Sequence, residues 1–271
     1  MRIFSVSNQK GGVGKTTTSV NLAASLAAAE RPTLLIDLDP QGNSCSGLGL
    51  VKQNFKKNIY HVLLGEVSLS EIITSTELDY LDVAPSNSDL VAADLELVSR
   101  FSREMRLKNA IQSVQERYDF VVIDCPPSLN LLTVNALTAA SAVIVPVQCE
   151  YYALEGLSDL LKTIALIKDH LNPKLEVEGI LLTMFDARNN LSHQVVNEIR
   201  QHFPDKIFKS TVPRNVKLSE SPSHGKPILL YDIKSKGSIS YLELAKEILD
   251  RYPKEEKKLN LNPNPLAAIS M

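Results

Sequence analysis

The stretch Lys10-Gly11-Gly12-Val13-Gly14-Lys15-Thr16-Thr17 decides how this chain folds. A short apolar run, residues 3–7, precedes it. Residues 17–29 follow as an Ala/Leu-rich segment with Leu22 and Leu26 one helical turn apart. Strand, glycine loop and helix in that order make a phosphate cradle. Glycines let backbone N–H groups turn inward around phosphate oxygens, and the helix N-terminus adds its dipole. Gly11, Gly12, Val13, Gly14 and Thr17 form the loop, Lys15 supplies counter-charge for β- and γ-phosphates, and Thr16 offers a hydroxyl to Mg²⁺. The strict spacing G-x-x-x-x-G-K-S/T is not met, because Gln9 stands five residues before Gly14. A second lysine, Lys10, opens the loop instead.

Outward from this loop, residues 33–36, 81–84, 120–123, 142–147 and 177–183 are further apolar runs. Helical patterns fill 89–98, 102–115, 131–140, 154–170 and 192–202, and residues 238–250 read as a last amphipathic helix. Apolar strands without polar alternation, separated by helices, predict an α/β fold. Its sheet is doubly wound and mostly parallel, with helices on both faces, as in P-loop NTPases. No repeat or linker divides residues 1–250, which read as one domain. Residues 251–271 run through Lys254-Glu255-Glu256-Lys257-Lys258 and then Pro263 and Pro265, the composition of a disordered tail.

With 271 residues, 44% hydrophobic and 22% charged, and a mean hydropathy of -0.04, the chain is an ordinary globular protein able to bury its own core. Cys45, Cys125 and Cys149 are odd in number and lack a C-x-x-C pair, which argues against a disulfide framework or a zinc site. No apolar run approaches the ~18 residues of a membrane span. No basic leader precedes the first strand, so a cytoplasmic location is expected. The net charge of -2 hides an asymmetry. Between Lys206 and Ser240, seven basic residues face only Glu220 and Asp232, a formal +5 that leaves -7 on the rest of the chain.

The lysine-opened loop is accompanied by Asp37-Leu38-Asp39-Pro40-Gln41-Gly42-Asn43, Asp124-Cys125-Pro126-Pro127-Ser128, Pro213-Arg214-Asn215-Val216-Lys217-Leu218-Ser219-Glu220 and Ser223-His224-Gly225-Lys226-Pro227. Together these closely resemble the ParA/Soj chromosome-partitioning ATPases of the ParA/MinD superfamily, with its deviant Walker A loop, over roughly residues 1–250. The resemblance implies ATP and Mg²⁺ as ligands. Lys10 would be the signature lysine, reaching across an ATP-sandwiched homodimer to the partner's phosphates as an arginine finger does. Asp39 would orient the attacking water, Asp37 would support the Mg²⁺ shell, and Asp124 would be the Walker B carboxylate holding Mg²⁺ through water. Thr183-Met184, Pro213 and Asn215 would flank the adenine; no guanine-reading Asn-Lys-x-Asp is present.

Relatives differ in what the ATP dimer grips. MinD-type members end in a basic amphipathic helix, whereas Asn260 to Met271 holds two prolines and no Lys or Arg. Membrane docking by that device is not expected, so no membrane partner is expected; a membrane-linked positioning ATPase is the alternative, and a small-molecule ligase or kinase sharing the nucleotide loop is a second. Iron–sulfur relatives need paired cysteines, and tyrosine-kinase relatives a terminal tyrosine cluster. Duplex DNA remains. The basic segment and Arg188 offer the electrostatic footprint of sequence-independent binding, and family members contact DNA through residues matching Arg188 and Lys217, with Lys234 and Lys236 as further candidates. A nucleoid-associated protein released from DNA by a ParB-type partner is the expectation. No helix-turn-helix extension precedes Met1, so operator-specific repression is not expected.

Overall fold

Strands buried on both faces need helices above and below, and the computed structural model, which describes residues 1–150 and 153–253, supplies both layers. The strands are β1 (Arg2–Val6), β2 (Thr33–Asp37), β3 (Thr74–Ser75), β4 (Leu81–Ala84), β5 (Phe120–Asp124), β6 (Ala142–Gln148), β7 (Glu176–Phe185) and β8 (Ile207–Pro213). They form one sheet in the order β3-β4-β2-β5-β1-β6-β7-β8. Every pairing is parallel except β3 with β4, so the expected doubly wound sheet is present. Every residue of β2 and β5 is buried.

Successive strand residues point to opposite faces, and the core divides accordingly. Phe4, Leu35 and Val122 pack with Leu22 and Leu26 of helix Lys15–Ala28 and Leu244 and Ile248 of helix Lys236–Arg251. Leu34, Ile36, Val121 and Ile123 face the other way, onto Leu107, Ile111 and Leu132. Val143, Val145, Ile180 and Leu182 pack there against Leu160 and Ile199. The chain leaves β1 toward β2 on one side and reaches β6 on the other. The carboxyl ends of β1, β2 and β5 thus border a topological switch point, where open α/β sheets bind ligands.

Several elements depart from the sequence reading. β8 lies outside the expected strands: its burial alternates, with Phe208, Ser210 and Val212 inward, as on an edge strand. The helix expected over 102–115 is shorter, because Ser102 sits at φ 50 and a 3-10 turn precedes helix Arg106–Gln112. Short helices Asn43–Gly47, Ile59–Leu64 and Leu69–Ile72 also appear.

At the far end, the last helix runs on to Arg251. Arg251 Nη1 donates to Glu178 Oε1 at 2.7 Å, Tyr252 Oη donates to Glu178 Oε2 at 2.7 Å, and the Arg2 guanidinium lies 4.6 Å from the Tyr252 ring centre. Arg251 and Tyr252 are therefore tied to the fold, two residues past the expected boundary at 250. The remainder of that tail, 254–271, lies outside the described residues.

Candidate functional site

The phosphate loop joins β1 to helix Lys15–Ala28, with Gly12 at φ 75 and Gly14 at φ 88, backbone that side chains with a Cβ resist. Lys15 is buried and its Nζ donates to the Lys10 carbonyl at 3.0 Å. That lysine curls over the loop it would share with phosphates. Burial lowers its pKa from the ordinary 10.5, while Asp124 and Asp39 pull the other way. Thr183 Oγ1 donates to the Val13 carbonyl at 2.9 Å, tying the loop to the end of β7.

Register sets the carboxylates. Asp37 ends β2 directly opposite Asp124, which ends β5, and both are fully buried. Asp124 accepts hydrogen bonds from Ser19 Oγ at 3.0 Å and Ser44 Oγ at 2.9 Å, with Thr16 beside it. Asp37 accepts from the backbone N–H groups of Asp39 and Cys45, each at 3.2 Å. Burial raises both acids, and the charge of Asp37 raises Asp124 further. Two carboxylates that resist ionising side by side are a place for a cation. Their hard oxygens and the Thr16 hydroxyl suit Mg²⁺, which keeps several waters and shares phosphate oxygens rather than using an all-protein cage. Among the described residues no group of three or more His, Cys, Asp and Glu side chains forms such a cage. Asp39 is nearer the surface; its Oδ1 accepts from Gln41 N–H at 2.9 Å.

A cavity of about 360 Å³ opens beside the loop and is lined by Gly14, Thr17, Met184, Pro213 and Asn215 among others. The sequence expectations for the base pocket thus converge on one space. Met184 holds φ 49, a strained left-handed backbone of the kind that clusters at ligand clamps.

Residues 1–177 match the family model described as AAA domain. The chain is 59% identical over 250 residues to the chromosome partitioning protein ParA of Myxococcus xanthus, spanning 92% of this chain and 88% of that protein. It is 55% identical over 247 residues to the sporulation initiation inhibitor protein Soj of Bacillus subtilis, spanning 91% and 98%. The chain belongs to the ParA/Soj chromosome-partitioning family. Among solved structures it resembles cobyrinic acid a,c-diamide synthase from Mycobacterium smegmatis with bound ADP and magnesium. The identity is 36% and the TM-score 0.83, over 95% of this chain and 97% of that one.

In this ParA/Soj chain the expected DNA residues Arg188, Lys217, Lys234 and Lys236 are not among those lining that cavity. Arg188, 90% exposed, pairs with Asp186 at 2.9 Å, which holds the Asp186 carboxyl down at about 2. Lys217 pairs with Glu220 at 3.0 Å, and Lys234 and Lys236 are exposed. Leu218 packs against Gly237, so Lys217 and Lys236 share one neighbourhood. Arg188 and Lys217 follow β7 and β8, whose ends pair Phe185 with Pro213. No helix among the described residues is long and apolar enough to cross a membrane.

Sequence reasoning missed the serines that hold Asp124, since Ser19 and Ser44 meet it only through the fold. It also missed why the Ser223–Pro227 motif carries a glycine. A Cβ on Gly225 would lie 2.6 Å from Gly49 Cα, so the two backbones touch. That contact braces helix Asn43–Gly47, the carrier of Ser44, against the basic C-terminal segment.

Proposed function

We propose that this ParA/Soj chain is a partition ATPase that binds ATP with Mg²⁺, pairs face to face with a second copy, and in that state holds duplex DNA without regard to sequence. One observation supports it above the rest: the loops lining the base cavity also carry the basic residues. Met184 borders the cavity and Arg188 lies four residues on; Asn215 borders it and Lys217 lies two residues on. Nucleotide occupancy and the DNA surface would thus share a backbone.

Within this reading, the loop N–H groups and Lys15 neutralise the phosphates, and the partner copy's Lys10 adds a second cation where charge develops. Thr16, Asp37 and Asp124 would hold Mg²⁺, which when bound neutralises phosphate oxygens. Asp39 orients the water that attacks the γ-phosphorus, so that the bond to the bridging oxygen breaks, ADP leaves and the phosphoryl group ends as phosphate. Hydrolysis, stimulated by a ParB-type partner, dissolves the dimer and frees the DNA. The protein would act in the cytoplasm on the nucleoid.

The test is duplex binding by anisotropy with ATP, ADP and no nucleotide, alongside ATPase activity with and without DNA and a basic ParB N-terminal peptide. ATP-dependent DNA binding and stimulated turnover are expected. Equal DNA binding in all three nucleotide states would refute the reading. Turnover that requires a small metabolite would point instead to a ligase.

A further inference from the structure

Lys10 is held at both ends. Its Nζ lies 3.0 Å from Glu150 Oε2, with the two side chains 33% and 49% exposed. The other oxygen of Glu150 accepts from Gln148 Nε2. At the main chain, Lys10 N–H donates to Asn8 Oδ1 at 3.0 Å, and Asn8 Nδ2 donates to the Pro146 carbonyl at 2.7 Å. Pro146, Gln148 and Glu150 sit on or just beyond β6 of the same protomer, and Asn8, just beyond β1, links Lys10 to that strand.

The dimer reading above needs the same amine on a second copy's phosphates. A lysine still paired with Glu150 would carry a carboxylate toward those phosphates, and the net charge delivered would be near zero. The pair must therefore open before the lysine can act in trans.

We propose that Glu150 is a positioning residue that holds Lys10 in cis in the monomer and releases it when two ATP-bound copies meet, so setting the protein concentration at which the dimer forms. This rests on the proposed dimer. A pair this open biases an equilibrium by about two- to five-fold. Two such pairs break in a symmetric dimer, so removing them lowers the dissociation constant roughly four- to twenty-five-fold.

The experiment has two arms. Without nucleotide, Lys10 of the wild type and of Glu150→Gln is labelled with an amine-reactive ester and read by peptide mass spectrometry, with exposed Lys174 as reference. Labelling of Lys10 rises about two- to five-fold in Glu150→Gln, and an unchanged rate overturns the holding role whatever the dimer does. With Mg²⁺ and ATP, light scattering and ATPase activity are followed against protein concentration. In Glu150→Gln the midpoint moves to lower concentration while the plateau per dimer stays, and Glu150→Asp, which keeps the charge, remains near the wild type. A wild type that dimerises while Glu150→Gln shows an equal or higher midpoint overturns the proposal. A wild type that never dimerises with ATP instead sinks the dimer reading, leaving the labelling arm to judge the pair alone.

Discussion

Replacing Gly225 by alanine tests the backbone contact that braces the nucleotide site. Gly225 holds φ 63, and a Cβ there would stand 2.6 Å from Gly49 Cα and 3.1 Å from Gly49 N. Both neighbours are backbone atoms, so no side chain can swing aside. The left-handed conformation costs alanine about 1–2 kcal/mol, and forcing two backbones apart adds about 1–3 kcal/mol. Unfolding free energy should fall by about 2–5 kcal/mol, with Tm lower by roughly 5–15 °C. Gly65→Ala is the control: its φ is 80, yet the nearest atom is the tip of Arg106 at 3.3 Å. It should cost only the conformational part, and the gain from a stiffer unfolded chain is common to both variants. Urea unfolding of the two variants side by side measures the difference, about 1–3 kcal/mol in favour of Gly65→Ala. Equal losses would refute this close approach as a source of stability.

Three further outcomes bear on function. Lys15→Ala should abolish nucleotide binding, whereas Lys10→Ala should keep much of it and lose ATP-dependent dimerisation and hydrolysis; nucleotide affinity and light scattering separate them. Asp39→Ala should give an ATP-bound dimer that hydrolyses poorly and stays longer on DNA, seen as slowed release in a flow cell after ATP is withdrawn; loss of ATP binding would instead make Asp39 a ligand. Arg188→Glu or Lys217→Glu should weaken every duplex alike without altering ATP affinity, and should flatten the plot of log K against log salt by roughly 0.9 for each phosphate no longer neutralised; an unchanged slope in both removes this surface from DNA binding.

The strands that build the site were legible because they are apolar throughout: residues 120–123 admit no exposed face, so they had to lie mid-sheet. β8 was hidden by its own alternation. Lys209 and the basic residues after it drew the eye to charge, while Phe208 and Val212 were packing inward. The short helices are four to six residues long and give no periodic run to read; Ile59–Leu64 starts from a local side-chain cap, Asn58 accepting from Tyr60 N–H at 2.9 Å, and Asn43–Gly47 from Gly42 with none. The phosphate loop, with its glycines and paired lysines, was readable because its chemistry is contiguous in sequence. The support of Asp124 by Ser44, and the grip of Glu150 on Lys10 across 140 residues, depend on strand order and register, which composition does not encode.

The knot of Arg2, Glu178, Arg251 and Tyr252 has a practical outcome for anyone attaching cargo to this molecule. It gathers residue 2 and residue 252 at the amino ends of β1 and β7, whereas Met184 and the phosphate loop lie at the carboxyl ends. Met184 lies six residue steps along the strand from Glu178, a rise of roughly 20 Å. A fluorophore or second module fused at either end of the folded unit starts on the side of the sheet away from the nucleotide. It can be followed in a cell while the opposite side is left open to the second copy and the duplex that the proposed function would place there.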